Sequence, residues 1–253
     1  MIIPSRVRRI PLVAVLLLGT LSAQSGEDIA RLIDARAEPV DQTSDLTMIL
    51  TSRSGSQRTL TVRSVSKGGT RQIVWFLAPA DDRGVAFLRI EHEDRDDEMR
   101  MWLPSFRKMR RIAASRKGES FMGSDLSYED MTSRTLTDYT YELRGEERLH
   151  DQPVWVLAST PRAELRSSYS ELVSWVRKSD AVILKEEYYD RVGNLLKVRT
   201  VEVEERQGYV VPVSMFMRNV QKEHTTELHF DKVALDTGVS DDLFHERNLR
   251  RLP

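Results

Sequence analysis

The sequence predicts a mainly β protein: about eleven antiparallel strands in a meander, curled into a fully or partly closed barrel. Three observations predict it. Apolar and polar residues alternate with a period of two over most of the chain after Pro39. Short turns rich in Gly, Ser, Asn and Asp separate these runs at intervals of about 8–15 residues. A sheet of that many strands must also curl, because a flat one would leave long unpaired edges.

In chain order, residues 25–37 read as a helix. Ser25 and Asp28 form a near capping box, Ile29, Leu32 and Ile33 share one stripe, and Glu38-Pro39 ends it. Residues 45–53 and 57–67 flank Ser54-Gly55-Ser56, a hairpin signal. Residues 71–78 form a more continuous apolar strand closed by Pro79, and 85–92 form the next. The acid-rich stretch Glu91–Glu98 reads as a solvated turn. Further on, 135–144 and 153–160 pair across a turn at 145–152. Residues 169–176 have helical residue types, yet Tyr169, Glu171, Val173 and Trp175 alternate, so a strand is expected. Residues 182–189 and 195–204 flank a Gly-Asn turn. Residues 209–220 and 225–235 follow, with Pro212 marking an edge or a bulge. Ser240 caps a short terminal helix over 243–249, whose Leu243, Phe244 and Leu249 are available for docking.

The first 23 residues read as a cleavable signal peptide. Arg6, Arg8 and Arg9 precede an apolar run, Leu12–Leu21, that is too short to span a bilayer, and Leu21-Ser22-Ala23 suits cleavage. Residues 24–253 then form one domain. Losing three Arg and no acid takes the formal charge from −1 to −4, which is not the profile of a nucleic-acid binder. The chain has no Cys, hence no disulfide and no lipidated Cys. An exported chain of this kind is expected in the periplasm.

Residues 98–131 depart from the strand pattern. Met99, Met101 and Leu103 alternate with Arg100 and Trp102, and Pro104 stops the run. Arg107, Lys108, Arg110, Arg111, Arg116 and Lys117 follow with no acid among them. Phe121 and Met122 then lie beside Gly118 and Gly123 in an expected loop, and Ser124-Asp125 reads as the start of a short helix over 125–130. A loop carrying large apolar residues must cover something apolar.

No catalytic constellation, metal site or cofactor is expected. There is no nucleophile elbow, the five His stand singly, Glu91-His92-Glu93 fits a solvated turn, and no Gly-rich loop cradles phosphate. What stands out is large apolar side chains on period-two strands, among them Trp75, Phe87, Trp102, Met215 and Met217. They make either an ordinary barrel core or the wall of an apolar ligand site, since a wide curled sheet needs a plug or a ligand to fill it. Adaptable Met suits a ligand of variable shape. The candidate lipid-binding residues are therefore Trp75, Phe87, Trp102, Phe121, Met122, Tyr128, Met215 and Met217. Arg107, Lys108, Arg110, Arg111 and Lys117 are candidates for a rim that meets headgroups or a partner, or for a solvated loop that balances Glu91–Glu98.

Trp102-Leu103-Pro104, the basic run Arg107–Ile112 and the block Ser120–Asp130 resemble the signature of the LolA-like family of outer membrane lipoprotein-sorting proteins. Glu187-Tyr188-Tyr189-Asp190 before its Gly turn, and Phe244 with Leu249, are also similar, so the resemblance covers most of the mature chain. It implies an incomplete (half) β-barrel with helices across its apolar concave side. It further implies a periplasmic carrier of lipid or lipoprotein acyl chains working toward the outer membrane, with an RND/MMPL-type exporter as partner. The alternative within the same fold is a lipid-sensing or protein-binding module with no carrier role. A monomer making transient membrane contact is expected. If residues 98–131 gate an apolar trough, Phe121, Met122 and Tyr128 should enter the concave face, with Arg107, Arg110 and Lys117 at its rim; Phe121 and Met122 facing solvent on the convex side would mark a partner-binding patch instead.

Overall fold

The computed structural model describes residues 24–253, so the expected signal peptide lies outside the described residues. The chain opens with helix α1 (Gly26–Asp34). Ser25 accepts the Asp28 amide while the Asp28 carboxylate accepts the Ser25 amide, a reciprocal capping box. Ile29 and Ala30 are the buried stripe. Gly26 is needed for a close approach: a Cβ there would lie 2.8 Å from the backbone of Tyr141 and Glu142.

Thirteen strands follow: β1 (Asp41–Thr51), β2 (Gln57–Lys67), β3 (Arg71–Ala78), β4 (Ala86–Ile90), β5 (Glu98–Leu103), β6 (Lys108–Arg111), β7 (Tyr139–Leu149), β8 (Gln152–Pro161), β9 (Tyr169–Arg177), β10 (Ile183–Asp190), β11 (Leu195–Arg206), β12 (Tyr209–Asn219) and β13 (His224–Leu235). They form one antiparallel sheet in the order β6-β5-β4-β3-β2-β1-β13-β12-β11-β10-β9-β8-β7. The expected β architecture holds, with thirteen strands in place of about eleven. One addition is β6, hidden in the basic run, where charge on Lys108, Arg110 and Arg111 masks the alternation. The expected strand at 169–176 is β9. Pro212 sits at a register shift between β11 and β12, as a residue without an N–H requires. The turn expected at 145–152 shrinks to His150-Asp151, both at positive φ, and Gly145 falls at a bulge inside β7.

The sheet is open but strongly curled. Val74 on β3 and Tyr188 on β10 line the same cavity, although six strand spacings, about 29 Å if flat, separate their strands. On the face that lines this cavity, the concave one, lies the principal core of Leu46, Met48, Leu60, Val62, Phe76, Phe87, Met101, Tyr188 and Met217. α1 covers the same face at its far end, packing Ile29 and Ala30 on Trp155, Leu157 and Val176.

The C-terminal segment behaves differently from expectation. It forms two 3-10 turns, Asp241–Phe244 and Glu246–Arg250, the first capped by Ser240. Phe244 and Leu249 do dock, but on the convex face, against Val65, Ile73, Trp75, Ala86 and Leu88. Among the described residues α1 is the one α-helix, and it lies across the concave side. Phe244→Ala should lower the unfolding free energy by about 3 kcal/mol in urea titration, while Phe106→Ala, at a side chain 70% exposed, should change it by less than about 0.5 kcal/mol.

Candidate functional site: a plugged apolar trough

The two edge strands, β6 and β7, are consecutive in sequence, so residues 112–138 must pass from one edge of the sheet to the other. They do so across the concave face. The segment begins with a small hairpin: Ser120 bridges to Ser127, and the Phe121 amide donates to the Leu126 carbonyl at 2.7 Å. Its tip is Met122-Gly123, both at positive φ (53° and 81°), which Gly adopts without strain. Ser124 does not cap a helix. Its hydroxyl donates to the Phe121 carbonyl at 2.6 Å and braces the turn. The short helix expected over 125–130 is replaced by one 3-10 turn, Glu129–Met131, because the Asp125 and Asp130 side chains bond outward to the sheet and to Ser127.

Phe121 drives the hairpin into the trough. It is 1% exposed, and its ring lies 5.2–5.9 Å from those of Phe87, Phe76 and Tyr128. Tyr128 packs against Phe87 with ring centres 5.7 Å apart and planes tilted by 41°. Phe121 and Tyr128 thus enter the concave face, and Met122 packs half-buried against the same core.

Three polar anchors fix the segment in place. The Asp125 amide donates to the Thr226 hydroxyl at 2.9 Å, and the Asp125 carboxylate receives Thr226 and His224, each at 2.7 Å. Asp130 takes the Lys197 ammonium, the Tyr169 hydroxyl at 2.8 Å and the Ser127 amide at 2.6 Å. Lys197 also donates to the Asp125 carbonyl and lies 4.9 Å from the centre of the Tyr188 ring. The third anchor is Arg134, which grips both oxygens of Glu186 at 2.5 and 2.8 Å. Ser174 and Arg199 complete that site. Glu186 is fully buried. Burial alone would raise its carboxyl, but Arg134 and Arg199 outweigh this and hold it well below the usual carboxylate range. Burial pushes the Tyr139 and Tyr141 hydroxyls up to about 12. Between plug and sheet remains a cavity of about 190 Å³, with Leu46, Met48, Val62, Val74, Leu228 and Phe230 on its wall.

The expected site residues divide accordingly. Phe121 and Met215 line the cavity. Phe87, Tyr128, Met217 and Met122 belong to the core around it. Trp75 and Trp102 do not: they lie on the convex face, under the C-terminal segment. Strict alternation explains this, since Val74 and Phe76 flank Trp75 and Met101 and Leu103 flank Trp102, all pointing inward. Of the basic residues, Arg107, Lys108 and Arg111 are exposed and in no ion pair among the described residues. Arg110 pairs with Glu119, and Lys117 with Asp97 of the acidic turn. The anchors Lys197, Arg199, Glu186 and Arg134 escaped sequence reading, because charged residues on alternating strands ordinarily face solvent. A concave-face signal does exist in Lys197 and Arg199, which share the parity of the inward Tyr188 across the β10–β11 ladder.

Among the described residues, no group of three or more His, Cys, Asp or Glu is placed to hold a metal, and no helix is long and apolar enough to cross a membrane.

An open, curled antiparallel sheet with a helix across its apolar concave side defines a LolA-like half-barrel. A domain from Vibrio parahaemolyticus named for outer membrane lipoprotein sorting is 31% identical and superimposes with a TM-score of 0.82, over 89% of this chain and 98% of its own. A DUF1329 family protein from Desulfovibrio piger gives 29% identity and a TM-score of 0.84, over 88% and 97%. A LolA superfamily protein from Nitrosomonas europaea shares the fold at 20% identity, with a TM-score of 0.71 over 89% and 100%. A family model described only as an uncharacterized protein matches residues 68–251, and no curated protein matches the chain. The chain belongs to the family of the outer membrane lipoprotein-sorting domain from Vibrio parahaemolyticus, and it shares the LolA fold.

Glu186→Gln should cost about 3 kcal/mol at pH 7, because it leaves Arg134 and Arg199 without their buried countercharge. The folded carboxyl sits below its unfolded value of about 4.3, so its contribution is complete above that pH and fades as pH falls through the folded value. Urea titrations of both proteins should show the gap narrowing below about pH 4.

Proposed function

We propose that this protein is a periplasmic carrier that binds lipid or lipoprotein acyl chains in its apolar trough and delivers them toward the outer membrane. The observation that carries the proposal is the plug. An open sheet of thirteen strands leaves an apolar concave face too wide for its own side chains, and residues 112–138 fill it as a ligand would. The function implied by the sorting-protein relative from Vibrio parahaemolyticus agrees with this chemistry. No bond is made or broken. The remaining cavity of about 190 Å³ falls below the roughly 300–1,000 Å³ typical of ligand pockets, so a chain enters as plug residues withdraw. Burying a dozen methylenes releases about 10 kcal/mol, enough to compete with the plug's own contacts.

The tip between β5 and β6 suits the exchange step. Phe106 is 70% exposed, and beside it Arg107, Lys108 and Arg111 are exposed cations. An apolar side chain among free cations favours transient contact with an anionic bilayer or with an acidic surface of an RND/MMPL-type exporter.

The test is uptake. Mature protein incubated with phospholipid vesicles, repurified and extracted into organic solvent should release bound acyl lipid. Met215→Lys, which places a charge in the cavity wall, should cut the recovered lipid at least tenfold while circular dichroism stays unchanged. Lipid-free wild-type protein, or equal loading of the variant, would contradict the carrier reading and favour a protein-binding module.

A further inference from the structure

The concave face is not apolar throughout. Along β1 the inward residues change from Gln42 and Ser44 to Leu46 and Met48, and along β2 from Ser66 and Ser64 to Val62 and Leu60. On β3 Gln72 gives way to Val74 and Phe76, and on β4 Arg89 gives way to Phe87. A single boundary therefore crosses four adjacent strands. The ladders place Gln42 opposite Ser66, Ser44 opposite Ser64, Ser66 opposite Gln72 and Gln72 opposite Arg89. Gln42, Ser44, Ser64, Ser66 and Gln72 all line the same cavity as Phe121 and Leu126.

These groups are not used up by one another. Gln42 donates to Ser44 at 2.9 Å and Gln72 to Ser64 at 3.0 Å. Among the described residues, the side-chain carbonyls of both Gln and the hydroxyl of Ser66 bond to no protein group. Arg89 is 5% exposed; its charge is met by Glu91 and one terminal nitrogen donates to the Gly69 carbonyl at 2.8 Å, yet its Nε–H has no partner. Gln42, Ser66 and Gln72 are half-buried, so their open groups bond to water until a ligand replaces it, whereas the Arg89 Nε–H is buried. A pure hydrocarbon ligand needs none of them.

We infer that this polar quarter is a subsite for the uncharged linkage of an amphiphile, the ester, amide or hydroxyl oxygens of a glycerol-ester lipid, with the acyl chain running from Leu46 toward Phe121. The inference rests on the carrier reading and gives the ligand its orientation. The set is Gln, Ser and an Arg paired with Glu91, which suits uncharged oxygens; the cation on the wall of this cavity is Arg199, on β11, which shares Glu186 with Arg134. Each hydrogen bond formed in place of one to water is worth about a fivefold gain in affinity, so two give more than tenfold.

Displacement of 11-(dansylamino)undecanoate by monodecanoylglycerol and by 1-decene tests this. The double variant Gln42→Leu with Gln72→Leu should weaken monodecanoylglycerol about tenfold and leave 1-decene unchanged or tighter. An unchanged affinity for the ester, or an equal loss for both ligands, overturns the subsite. If neither ligand displaces the probe from the wild-type protein, the carrier reading fails and the subsite with it. Should the double variant not fold, Ser66→Ala supplies the same comparison, with a several-fold loss confined to the ester expected and no selective loss overturning the subsite.

Discussion

The passage of residues 112–138 between the two sheet edges governs this molecule. An antiparallel sheet that curls without closing has two free edges, and here those edges are neighbours in sequence. The connection could have run around the outside. It runs across the concave face because that face is apolar, and because Phe121, Leu126 and Tyr128 give the segment apolar surface to bury there. Sheet and segment each cover what the other would expose. The convex face needs its own cover on the β3–β5 side, and Phe244 and Leu249 supply it.

The anchors set how firmly the plug is held. Asp125 bonds to β13, Asp130 to β9 and β11, and Arg134 to β10, so a segment with one 3-10 turn in its pinned centre is fixed at three separate points. Buried charges held this way contribute little net stability, because desolvation offsets most of their attraction, but they specify one position strongly. A greasy plug alone could slide in a greasy trough. One tied by Lys197–Asp130 and Arg134–Glu186 sits in one register, and leaves it only when something else fills the trough. Loss of these contacts is the cost that an entering acyl chain must offset.

Much of the fold was legible in the sequence because period-two alternation and turn residues are local signals. They placed α1 with its capping box, the strand at 169–176 despite its helical residue types, and the irregularity at Pro212. The Phe121–Met122 loop was legible for a physical reason as well: apolar side chains beside glycines must cover something. The rest depended on information that is not local. Which face of a strand is concave is not written in its alternation, so Trp75 and Trp102 were assigned to the wrong side although their neighbours' parity was readable. β6 was hidden because an edge strand rich in Lys and Arg looks like a loop. Ser124-Asp125 has the residues of a helix start, but Asp125 finds better partners in Thr226 and His224, which lie about a hundred residues away in sequence. The anchoring ion pairs have the same character, since burial of Lys197 or Glu186 follows from the curl of the sheet and from nothing in the neighbouring residues.

The central claim is that ligand entry requires the plug to leave the trough. The absence of Cys allows a direct measurement. Asp125→Cys with Thr226→Cys replaces the two hydrogen bonds between these residues of the plug and β13 by the chain's only disulfide. Acyl lipid recovered after incubation with vesicles is then compared for the oxidised and reduced forms of the same sample. The account predicts that the oxidised form stays empty and that reduction restores loading to the level of the unlocked protein. Equal loading of the oxidised form would contradict it.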